Sequence, residues 1–416
     1  MKVTELIEQY RADLFDDFLP FMHRFVVDFE LGGFCCNCDR DGTRLSDRKD
    51  SWYEGRGIWV YSCLYEHFGH DPQHLEIARK TVESILGARP KDDPRWPRVM
   101  NRDYSAITPD REIYGSLFIA EGLLAYASAS GQLQYRDVAA QIVRDMIALY
   151  DRPDYTIDMT GYLGPGNDPP VGARVQGVPM VLLRFATQFL RTAPNAELAA
   201  EFEALAAACV HNLMVRHWNP DFGLNIELLT HDYQFPAGDY RQFAYTGHTV
   251  EAMWMVMDEA IRCGDEALLD LAASRFRRHA EVSWDGVYGG VFRGLRHVDR
   301  NEWLLDRVLW AQEEVLIGYL MMIEMGDQSV WKMFGRMYEY VRSHYPLSKH
   351  GLPLWITVAD RKVTFEPHYN RIENYHHPRH LMMNLQMLEL LWDRPSHSVA
   401  CQTPRTIDRP THPKHK

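Results

Sequence analysis

Residues 178–190 read VPMVLLRFATQFL, a run whose helical spacing spreads apolar side chains over more than one face. A helix at a protein surface is apolar along one stripe, whereas a helix that is apolar all round is buried on both sides. Such a helix needs a layer of neighbours on each side. The run therefore predicts a fold with two layers of helices.

Helical spacing of apolar residues continues along most of the chain. Many of these stretches carry Ala, Leu and Met, which suit helix interiors. About a dozen helices are predicted, over residues 3–29, 54–68, 72–87, 111–130, 133–150, 175–192, 196–217, 246–263, 265–281, 302–325, 329–345 and 376–392.

Short glycine-containing segments with alternating apolar residues separate pairs of these helices, and each predicts a turn or a small hairpin. The segments are residues 32–34, 222–226, 288–292 and 351–355. Their glycines at 223, 290 and 351 are spaced by 67 and 61 residues, and the 190 residues from 33 to 223 span about three such intervals. The spacing indicates a unit of about 60–65 residues that is repeated six times.

Two helices per unit predict an all-α fold, an (α/α)6 barrel with short β-hairpins at one mouth. Its inner helices would touch the outer ring and one another, which accounts for burial on both faces. An open solenoid of helical hairpins is the alternative, but six units are enough to close a ring. Residues 1–393 are predicted to form one domain, and the proline-containing tail, 394–416, is expected to be disordered.

The composition argues against several classes of protein. Hydrophobic residues make up 46% of the 416 residues, which is ample for a large core and excludes wholesale disorder. A formal net charge of −12 argues against nucleic acid or an anionic membrane as the main partner. We expect no membrane span, because no apolar run approaches ~20 residues. The polar N-terminus does not read as a signal peptide, so a cytoplasmic location is expected.

The seven cysteines are scattered and odd in number. Cys35, Cys36 and Cys38 cluster, with CxxC spacing between the first and the last, but a structural zinc site needs a second close pair. Reduced thiols are therefore expected, with metal or redox work as the alternative.

Two segments at predicted helix starts carry candidate chemistry. Arg56 lies among aromatic residues in WYEGRGIW, residues 52–59, where its guanidinium is suited to an oxyanion or a sugar oxygen. His248 and Glu251 are at i and i+3, so they share a helix face and the carboxylate is suited to orient the imidazole. A salt-bridged arginine and a structural histidine are the alternatives.

Two further segments combine acids or histidines. Glu313 and Glu314 are consecutive acids in an apolar helix and point about 100° apart, so only one faces a given lumen. Residues 374–380, NYHHPRH, place three histidines and an arginine at a helix start marked by Pro378. The helix dipole is expected to lower the pKa of these histidines, leaving a neutral base at pH 7. No metal site is predicted, because adjacent histidines rarely bind one ion with good geometry.

Common nucleotide and nucleophile motifs are missing from the sequence. It contains neither GxGxxG nor GxxxxGK[ST], and no GxSxG elbow.

The segments that carry candidate chemistry, taken in their order along the chain, resemble the N-acylglucosamine 2-epimerase family, which is related to the cellobiose 2-epimerases. The resemblance runs from about residue 30 to 392, and the family fold is the (α/α)6 barrel. Each motif alone is weak, but their ordered combination is specific. The motifs are Gly32-Gly33-Phe34, Trp52-x-x-Gly55-Arg56-x-x-Trp59, Val178-Pro179-Met180, Gly247-His248-Thr249-x-Glu251, Trp310-x-x-x-Glu314 and His376-x-Pro378-Arg379.

The resemblance implies interconversion of free sugars at C2. The expected pair is N-acetylglucosamine and N-acetylmannosamine, because residues 178–180 look like the N-acyl branch. It also implies a small-molecule sugar as the partner and a homodimer. No cofactor is expected: nucleotide activation occurs in some members, but no phosphate loop supports it here. Catalytic histidines are implied at His248 and His376, and pocket or support positions at Arg56, Tyr114, Glu251, Trp310, Glu314 and Arg379.

The implied mechanism is proton transfer at C2 of the open-chain sugar. One histidine removes the C2 proton, and the other returns a proton to the opposite face of C2. Arg56 is expected to stabilise the enediolate, Glu251 to orient His248, and Glu314 with Arg379 to hold sugar hydroxyls or neighbouring residues. The alternatives on the same barrel are an aldose–ketose isomerase of the mannose isomerase type and a mannose or cellobiose 2-epimerase. A glycoside hydrolase or lyase using Glu251 and Glu314 is a further alternative, as is a binding protein, which the family's renin-binding protein suggests.

Overall fold

Twelve helices form two concentric rings in the computed structural model, which describes residues 2–39, 41–158, 169–348, 351–353, 355, 372 and 374–394. The inner ring consists of α2 (Ser51–His67), α4 (Tyr114–Ser130), α6 (Gly177–Arg191), α8 (Thr246–Cys263), α10 (Leu309–Glu324) and α12 (His376–Asp393). The outer ring consists of α1 (Val3–Ala12), α3 (Pro72–Gly87), α5 (Gln134–Tyr150), α7 (Ala196–His211), α9 (Glu266–Ser283) and α11 (Trp331–His344).

The inner ring is closed. Each inner helix packs on the next one along the chain, and α12 contacts α2. From α3 onward each outer helix packs on the inner helix that precedes it, while α1 packs on α12. This closure confirms the (α/α)6 barrel and excludes the open solenoid.

The inner and outer helices differ in how much of their surface is buried, as the sequence predicted. In α6, which contains the run at 178–190, every residue from 177 to 187 is buried. The outer helix α5 instead buries one stripe, which includes Ala139, Ile142, Val143 and Met146. One large hydrophobic core joins side chains from both rings, and a smaller cluster forms around Leu224, Ile226, Ala244 and Leu295. That residues 1–393 form one folding domain stays a prediction.

The first helix is less regular than its sequence suggests. It continues from α1 through π-helical segments at Asp13–Phe18 and Met22–Val26, with one α-helical turn at Leu19–Phe21 between them. The helical path therefore ends at residue 26, close to the predicted end at 29. A π-helical segment is uncommon and often accompanies a functional site.

In the described part of the chain, short strands precede five of the inner helices, α2, α4, α6, α8 and α10. They are β1 (Asn37–Cys38), β2 (Arg44–Ser46), β3 (Lys49–Asp50), β4 (Val99–Met100), β5 (Ala106–Thr108), β6 (Arg174–Val175), β7 (Trp218–Asn219), β8 (Leu224–Asn225), β9 (Leu228–Leu229), β10 (Gly294–His297) and β11 (Glu302–Leu304). They pair antiparallel as β1–β2, β3–β4–β5, β6–β9, β7–β8 and β10–β11. The predicted hairpins at one mouth are therefore present.

One helix boundary was predicted wrongly. The helix expected over 302–325 begins at Leu309, and Glu302–Leu304 is a strand that pairs with Gly294–His297. Asn301 has a φ of 50°, a left-handed conformation that asparagine tolerates, and it turns the chain back between the two strands. Pairing across this turn overrides the helical pattern of the apolar residues.

The turn at residues 285–290 shows why glycines mark the repeat. The Asp285 carboxylate accepts hydrogen bonds from the backbone N–H groups of Val287 and Tyr288. Gly290 follows at a φ of 75°, and a Cβ atom there would lie 2.4 Å from the Tyr340 ring. Only glycine fits both this conformation and this contact.

Residues 196–216 have the length and composition of a membrane span, with a mean hydropathy of 1.3. In the barrel they form α7 and a π-helical turn at Asn212–Arg216 in the outer ring. Phe202 of this helix stacks on Phe189 of α6, with ring centroids 4.0 Å apart. An alanine-rich helix that packs on one face has the same composition.

Two predictions fall on parts of the chain that the structure does not describe. The tail at 394–416 lies outside the described residues apart from Arg394. The glycine segment at 351–355 is described except for residue 354, and Trp355 bridges back to Pro346.

Candidate active site

The candidate residues converge because they lie in the first two turns of the inner helices. Outer helices return the chain between successive inner helices, so all six inner helices start at the mouth that carries the strands. The residues are Arg56 in α2, Tyr114 in α4, His248 and Glu251 in α8, Trp310 and Glu314 in α10, and His376 and Arg379 in α12. Helix N-termini carry partial positive charge, which stabilises negative charge that develops at this mouth.

His376 is held by a buried carboxylate. Its Nδ1 atom lies 3.0 Å from Glu314 Oε1, and Trp254 donates its indole N–H to Glu314 Oε2 at 2.6 Å. Burial by itself raises the pKa of Glu314, but the charge of Arg379 and the hydrogen bond from His376 outweigh it and lower the pKa to about 2. Glu314 is therefore ionised, and it accepts the Nδ1–H of His376.

Arg379 ties the two acids of this region together. Its Nη2 atom donates to Glu251 Oε1 at 2.6 Å and to Glu314 Oε1 at 2.5 Å. These two bonds use both hydrogens of Nη2. Nη2 also lies 3.1 Å from His376 Nδ1 but has no hydrogen left to donate to it, so His376 Nδ1 keeps its own proton. The exposed fractions of Arg379, Glu251 and Glu314 are 1%, 4% and 0%. This supports the expectation that they hold neighbouring residues, while contact with a sugar stays a prediction.

His248 has a different partner from the one that the sequence suggested. Its Nδ1 atom lies 2.9 Å from Glu227 Oε1. The expectation that Glu251 orients His248 is therefore corrected, since Glu251 bonds to Arg379 and its Oε1 lies 4.0 Å from His376 Nδ1. An i, i+3 spacing leaves two side chains about 60° apart around the helix, which is enough for His248 and Glu251 to reach different neighbours.

Glu227 is itself fixed. It follows β8 at the mouth of the barrel and is 2% exposed. Gln176 donates to Glu227 Oε2 at 3.3 Å, and Asn225 donates to Gln176 Oε1 at 2.7 Å. This chain of hydrogen bonds holds the carboxylate against His248.

Trp310 lies beside both histidines. Its ring centroid is 5.9 Å from that of His248 and 5.4 Å from that of His376. Gly247 permits this placement because it has no Cβ atom. A Cβ atom there would lie 2.8 Å from Trp310 Cη2, which is too close. The structure thus brings the two predicted catalytic residues together around one indole.

Arg56 lies in an aromatic cage. Its guanidinium carbon is 4.0 Å from the Phe118 ring centroid, 4.9 Å from that of Tyr375 and 5.4 Å from that of Trp52. Within the described residues it forms no ion pair, and its buried Nε atom has no hydrogen-bond partner. The guanidinium is thus available to a ligand oxygen.

Tyr114 connects the cage to His248. Its ring centroid is 5.3 Å from that of Trp52. At Gly177, a Cβ atom would lie 2.7 Å from the Tyr114 hydroxyl and 3.5 Å from His248 Cε1. Burial, reinforced by Glu112 and Glu227, raises the pKa of Tyr114 far above 10.0, so the hydroxyl keeps its proton and is available to donate it in a hydrogen bond.

Several supporting residues were not found from the sequence. They are Glu227, Gln176, Trp254 and Tyr375. Only Glu227 had a signal, because it directly follows the glycine hairpin at 222–226 and is an acid in an apolar segment. Tyr375 donates to Glu121 at 2.8 Å, which fixes the wall of the Arg56 cage.

The acids at 313 and 314 point apart as predicted, and both are fully buried. Glu314 faces His376, whereas Glu313 Oε1 lies 2.5 Å from His377 Nδ1. The expectation that the helix dipole lowers the pKa of the histidines is wrong for His377. Burial does lower its pKa, but the negative charge of Glu313 outweighs burial and raises it.

Known proteins share this fold and sequence pattern. The family model for N-acylglucosamine 2-epimerase matches residues 32–377. The N-acylglucosamine 2-epimerase of Homo sapiens is 26% identical over 394 residues, which cover 92% of this chain and 90% of the human protein. That of Mus musculus is 26% identical over 391 residues and covers 91% of each chain.

Solved structures extend the comparison to the fold. A sugar epimerase from a ruminal bacterium has a TM-score of 0.76 at 18% identity, over 92% of this chain and 98% of that protein. A D-mannose isomerase has a TM-score of 0.73 at 14% identity, over 93% of this chain and 97% of that protein. Because the family model spans most of the sequence, the chain belongs to the N-acylglucosamine 2-epimerase family.

Proposed function

We propose that this protein is a sugar 2-epimerase that interconverts free aldoses at C2 by two-histidine proton transfer. N-acetylglucosamine and N-acetylmannosamine are the proposed pair. Support comes from the family and from its mammalian relatives, which are named N-acylglucosamine 2-epimerases.

The reaction begins when the closed sugar ring opens to its aldehyde. A base then removes the C2 proton, and the electron pair moves onto the carbonyl oxygen to give an enolate, which is an enediolate where C2 bears a hydroxyl group. Reprotonation of C2 from the opposite face inverts the centre. The reaction therefore needs two acid/base groups on opposite sides of C2 and a positive charge near the developing oxyanion.

The observation that carries the proposal is the matched environment of the two imidazoles. Both His248 and His376 have Nδ1 against a buried carboxylate oxygen, at 2.9 and 3.0 Å. A carboxylate at Nδ1 keeps the proton there, so Nε2 carries the lone pair of the neutral base. It also stabilises the imidazolium that forms after proton abstraction.

Arg56 supplies the positive charge in this mechanism. Its guanidinium is held by aromatic faces rather than by a carboxylate, so its charge is not neutralised by a described neighbour. The N-termini of the six inner helices add partial positive charge at the same mouth.

The contacts of the two pocket acids argue against inverting glycoside hydrolysis. An inverting hydrolase separates its carboxylates by ~6.5–9.5 Å to admit a water molecule. Glu251 and Glu314 instead share one nitrogen of Arg379, at 2.6 and 2.5 Å, and are thus closer together. Neither is free to act as the general acid.

The test is a substrate screen in D2O with products identified by NMR. The substrates are N-acetylglucosamine, N-acetylmannosamine, mannose, glucose and cellobiose. We expect the C2 epimer of an N-acetylhexosamine, with deuterium at C2. A ketose product would instead identify an aldose–ketose isomerase, and a monosaccharide released from cellobiose would identify a hydrolase.

Variants of the two histidines test the two-base step. His248→Asn and His376→Asn should each lower epimerisation by ~10³-fold while the protein stays folded. Each variant should still exchange the C2 proton of one epimer through the histidine that remains. Near-normal turnover in His376→Asn would contradict the mechanism.

A further inference from the structure

A second cluster of histidines lies behind the candidate active site. We define the rear triad as Glu313 of α10 with His377 and His380 of α12. The exposed fractions of these residues are 0%, 6% and 2%. Each neighbours a residue of the active site in sequence or on its helix, but the rear triad faces α1 rather than His248.

The donor atoms of the rear triad converge on one point. Glu313 Oε1 lies 2.5 Å from His377 Nδ1 and 3.4 Å from His380 Nδ1. The three ligand atoms all lie within 4.8 Å of one another. The i, i+3 spacing of the histidines places both on one helix face, opposite the carboxylate.

The buried atoms of the rear triad are incompletely hydrogen-bonded. Considering the residues that the structure describes, Glu313 Oε2 has no hydrogen-bond partner, and His380 Nδ1 has only the long, 3.4 Å contact with Glu313 Oε1. A buried polar atom without a good partner destabilises the fold. Convergence of these atoms on one point gives a ligand at the rear triad donors to bind.

A second layer of hydrogen bonds orients His380. Its Nε2 atom lies 3.0 Å from the hydroxyl of Tyr10, and Asn384 donates to the same hydroxyl at 2.9 Å. Asn384 can only donate to this oxygen, so in the ion-free protein the Tyr10 hydrogen is available to His380 Nε2. An ion held by Nδ1 would place the imidazole hydrogen on Nε2 and reverse this bond, so that Tyr10 accepts it, as in a metal-bound histidine.

We propose that the rear triad binds one divalent transition-metal ion, with zinc as the best-matched class. Two imidazole nitrogens and a carboxylate are ligands that zinc takes at ~2.0–2.2 Å, which places tetrahedral donors about 3.3 Å apart. The pair of Glu313 and His377 has to open by less than 1 Å from its 2.5 Å contact. A water molecule would supply the fourth donor and would in turn donate a hydrogen bond to Glu313 Oε2.

The ion would act as a clamp. It would join α10 to α12 next to Glu314 and His376, and through Tyr10 it would also anchor α1. The sequence argued against a metal here because adjacent histidines bind one ion poorly. The rear triad avoids that objection, because its histidines are three residues apart and its carboxylate comes from another helix.

Metal binding to the full chain tests the proposal. Chelator-treated protein is titrated with Zn²⁺ by calorimetry and with Co²⁺ by visible absorption, which reports coordination geometry. We expect one ion per chain, a tetrahedral Co²⁺ spectrum without thiolate bands, and a higher melting temperature with Zn²⁺. His380→Ala and Glu313→Gln should each weaken binding by ~100-fold or more.

Two further variants keep the test decisive if those proteins fold poorly. Tyr10→Phe retains the ring and removes only the hydroxyl that orients His380, so it should weaken binding by ~10- to 100-fold. His376→Asn removes a histidine of the active site and should leave the metal affinity unchanged. Absence of a stoichiometric ion, thiolate-to-cobalt bands, or unchanged affinity in Tyr10→Phe and His380→Ala would overturn the proposal.

Discussion

At the scale of single residues, the site depends on which carboxylate meets which histidine. His248 is paired with Glu227, and His376 with Glu314. Both carboxylates are almost fully buried, at 2% and 0% exposure, so water does not weaken the pairs. The two histidines thereby acquire the same tautomer although they come from different helices.

Glu227→Gln should lower kcat by ~10²-fold and leave KM nearly unchanged. Glutamine has the same shape, but it removes the charge that stabilises the imidazolium of His248. Because His248 serves one face of C2, proton exchange into one epimer should slow more than exchange into the other. NMR measurement of deuterium uptake at C2, starting from each epimer, checks this asymmetry.

The matched control for that change is Glu266→Gln, at an exposed position on α9. It should leave both exchange rates at wild-type values. Equal slowing of both epimers in Glu227→Gln would show that Glu227 supports the fold of the mouth rather than His248.

At the scale of elements, the start of each inner helix is both a packing contact and part of the site. Gly247 in the first turn of α8 lets Trp310 of α10 approach, and Trp310 contacts both histidines. Closely packed helix starts therefore set the geometry of the catalytic groups. A change in packing here should alter chemistry as well as stability.

Gly247→Ala tests this coupling. The new Cβ would lie 2.8 Å from Trp310 Cη2 and 3.2 Å from the Arg293 carbonyl oxygen, so the indole has to move. We expect a loss of about 1–3 kcal/mol in the free energy of unfolding. We also expect kcat to fall by at least ~10-fold. Urea unfolding and steady-state kinetics measure the two effects.

Gly87→Ala is the control, because a Cβ atom at this last residue of α3 meets nothing within 4 Å. It should keep wild-type activity and stability or become slightly more stable. If Gly247→Ala behaved like Gly87→Ala, Trp310 would not depend on this close contact.

At the scale of the whole molecule, buried ion pairs join segments that are far apart in sequence. Asp28 accepts from Arg102 Nε and Nη2, both at 2.8 Å, and Lys49 Nζ lies 3.2 Å away. Burial raises the pKa of Asp28, but these two cations outweigh it and lower the pKa to about 2. Glu313 and Glu314, between α10 and α12, also have pKa values of about 2.

The free energy of unfolding should therefore fall in acid. A carboxyl whose pKa is lower in the folded state stabilises the fold above its unfolded pKa, near 4, and loses that contribution as the pH falls through about 2. For Asp28 the loss should be about 1–2 kcal/mol after allowance for solvent screening. Urea unfolding at several pH values between about 5 and 2 measures it.

Asp28→Asn isolates this contribution. At neutral pH the variant should be less stable by ~3–5 kcal/mol, because Lys49 loses a buried partner. The difference from the wild type should shrink as the pH falls, since the wild-type carboxyl then becomes protonated. Asp92→Asn, at an exposed position, should follow the wild type throughout. A constant difference across the range would rule out titration of Asp28 as the cause.

The fold could be predicted from the sequence because each helix is specified by the spacing of its own apolar residues, and the helical unit is repeated along the chain. Apolar spacing defined most helices within a few residues, and α8 begins and ends where predicted, at Thr246 and Cys263. The hairpin at Glu302–Leu304 was missed, because strand pairing depends on a partner rather than on local spacing. The π-helical turns in the first helix left no signal in the apolar pattern.

The sequence by itself determined the ring of helices and the histidines, acids and arginines that stand at their starts. Only the tertiary structure decided how these groups pair. Glu227 is 21 residues from His248, and Glu314 is 62 residues from His376. Spacing along a helix fixes the direction in which a side chain leaves it, but closure of the ring decides which neighbour lies in that direction. Glu251, one turn from His248, for that reason bonds to Arg379 of another helix.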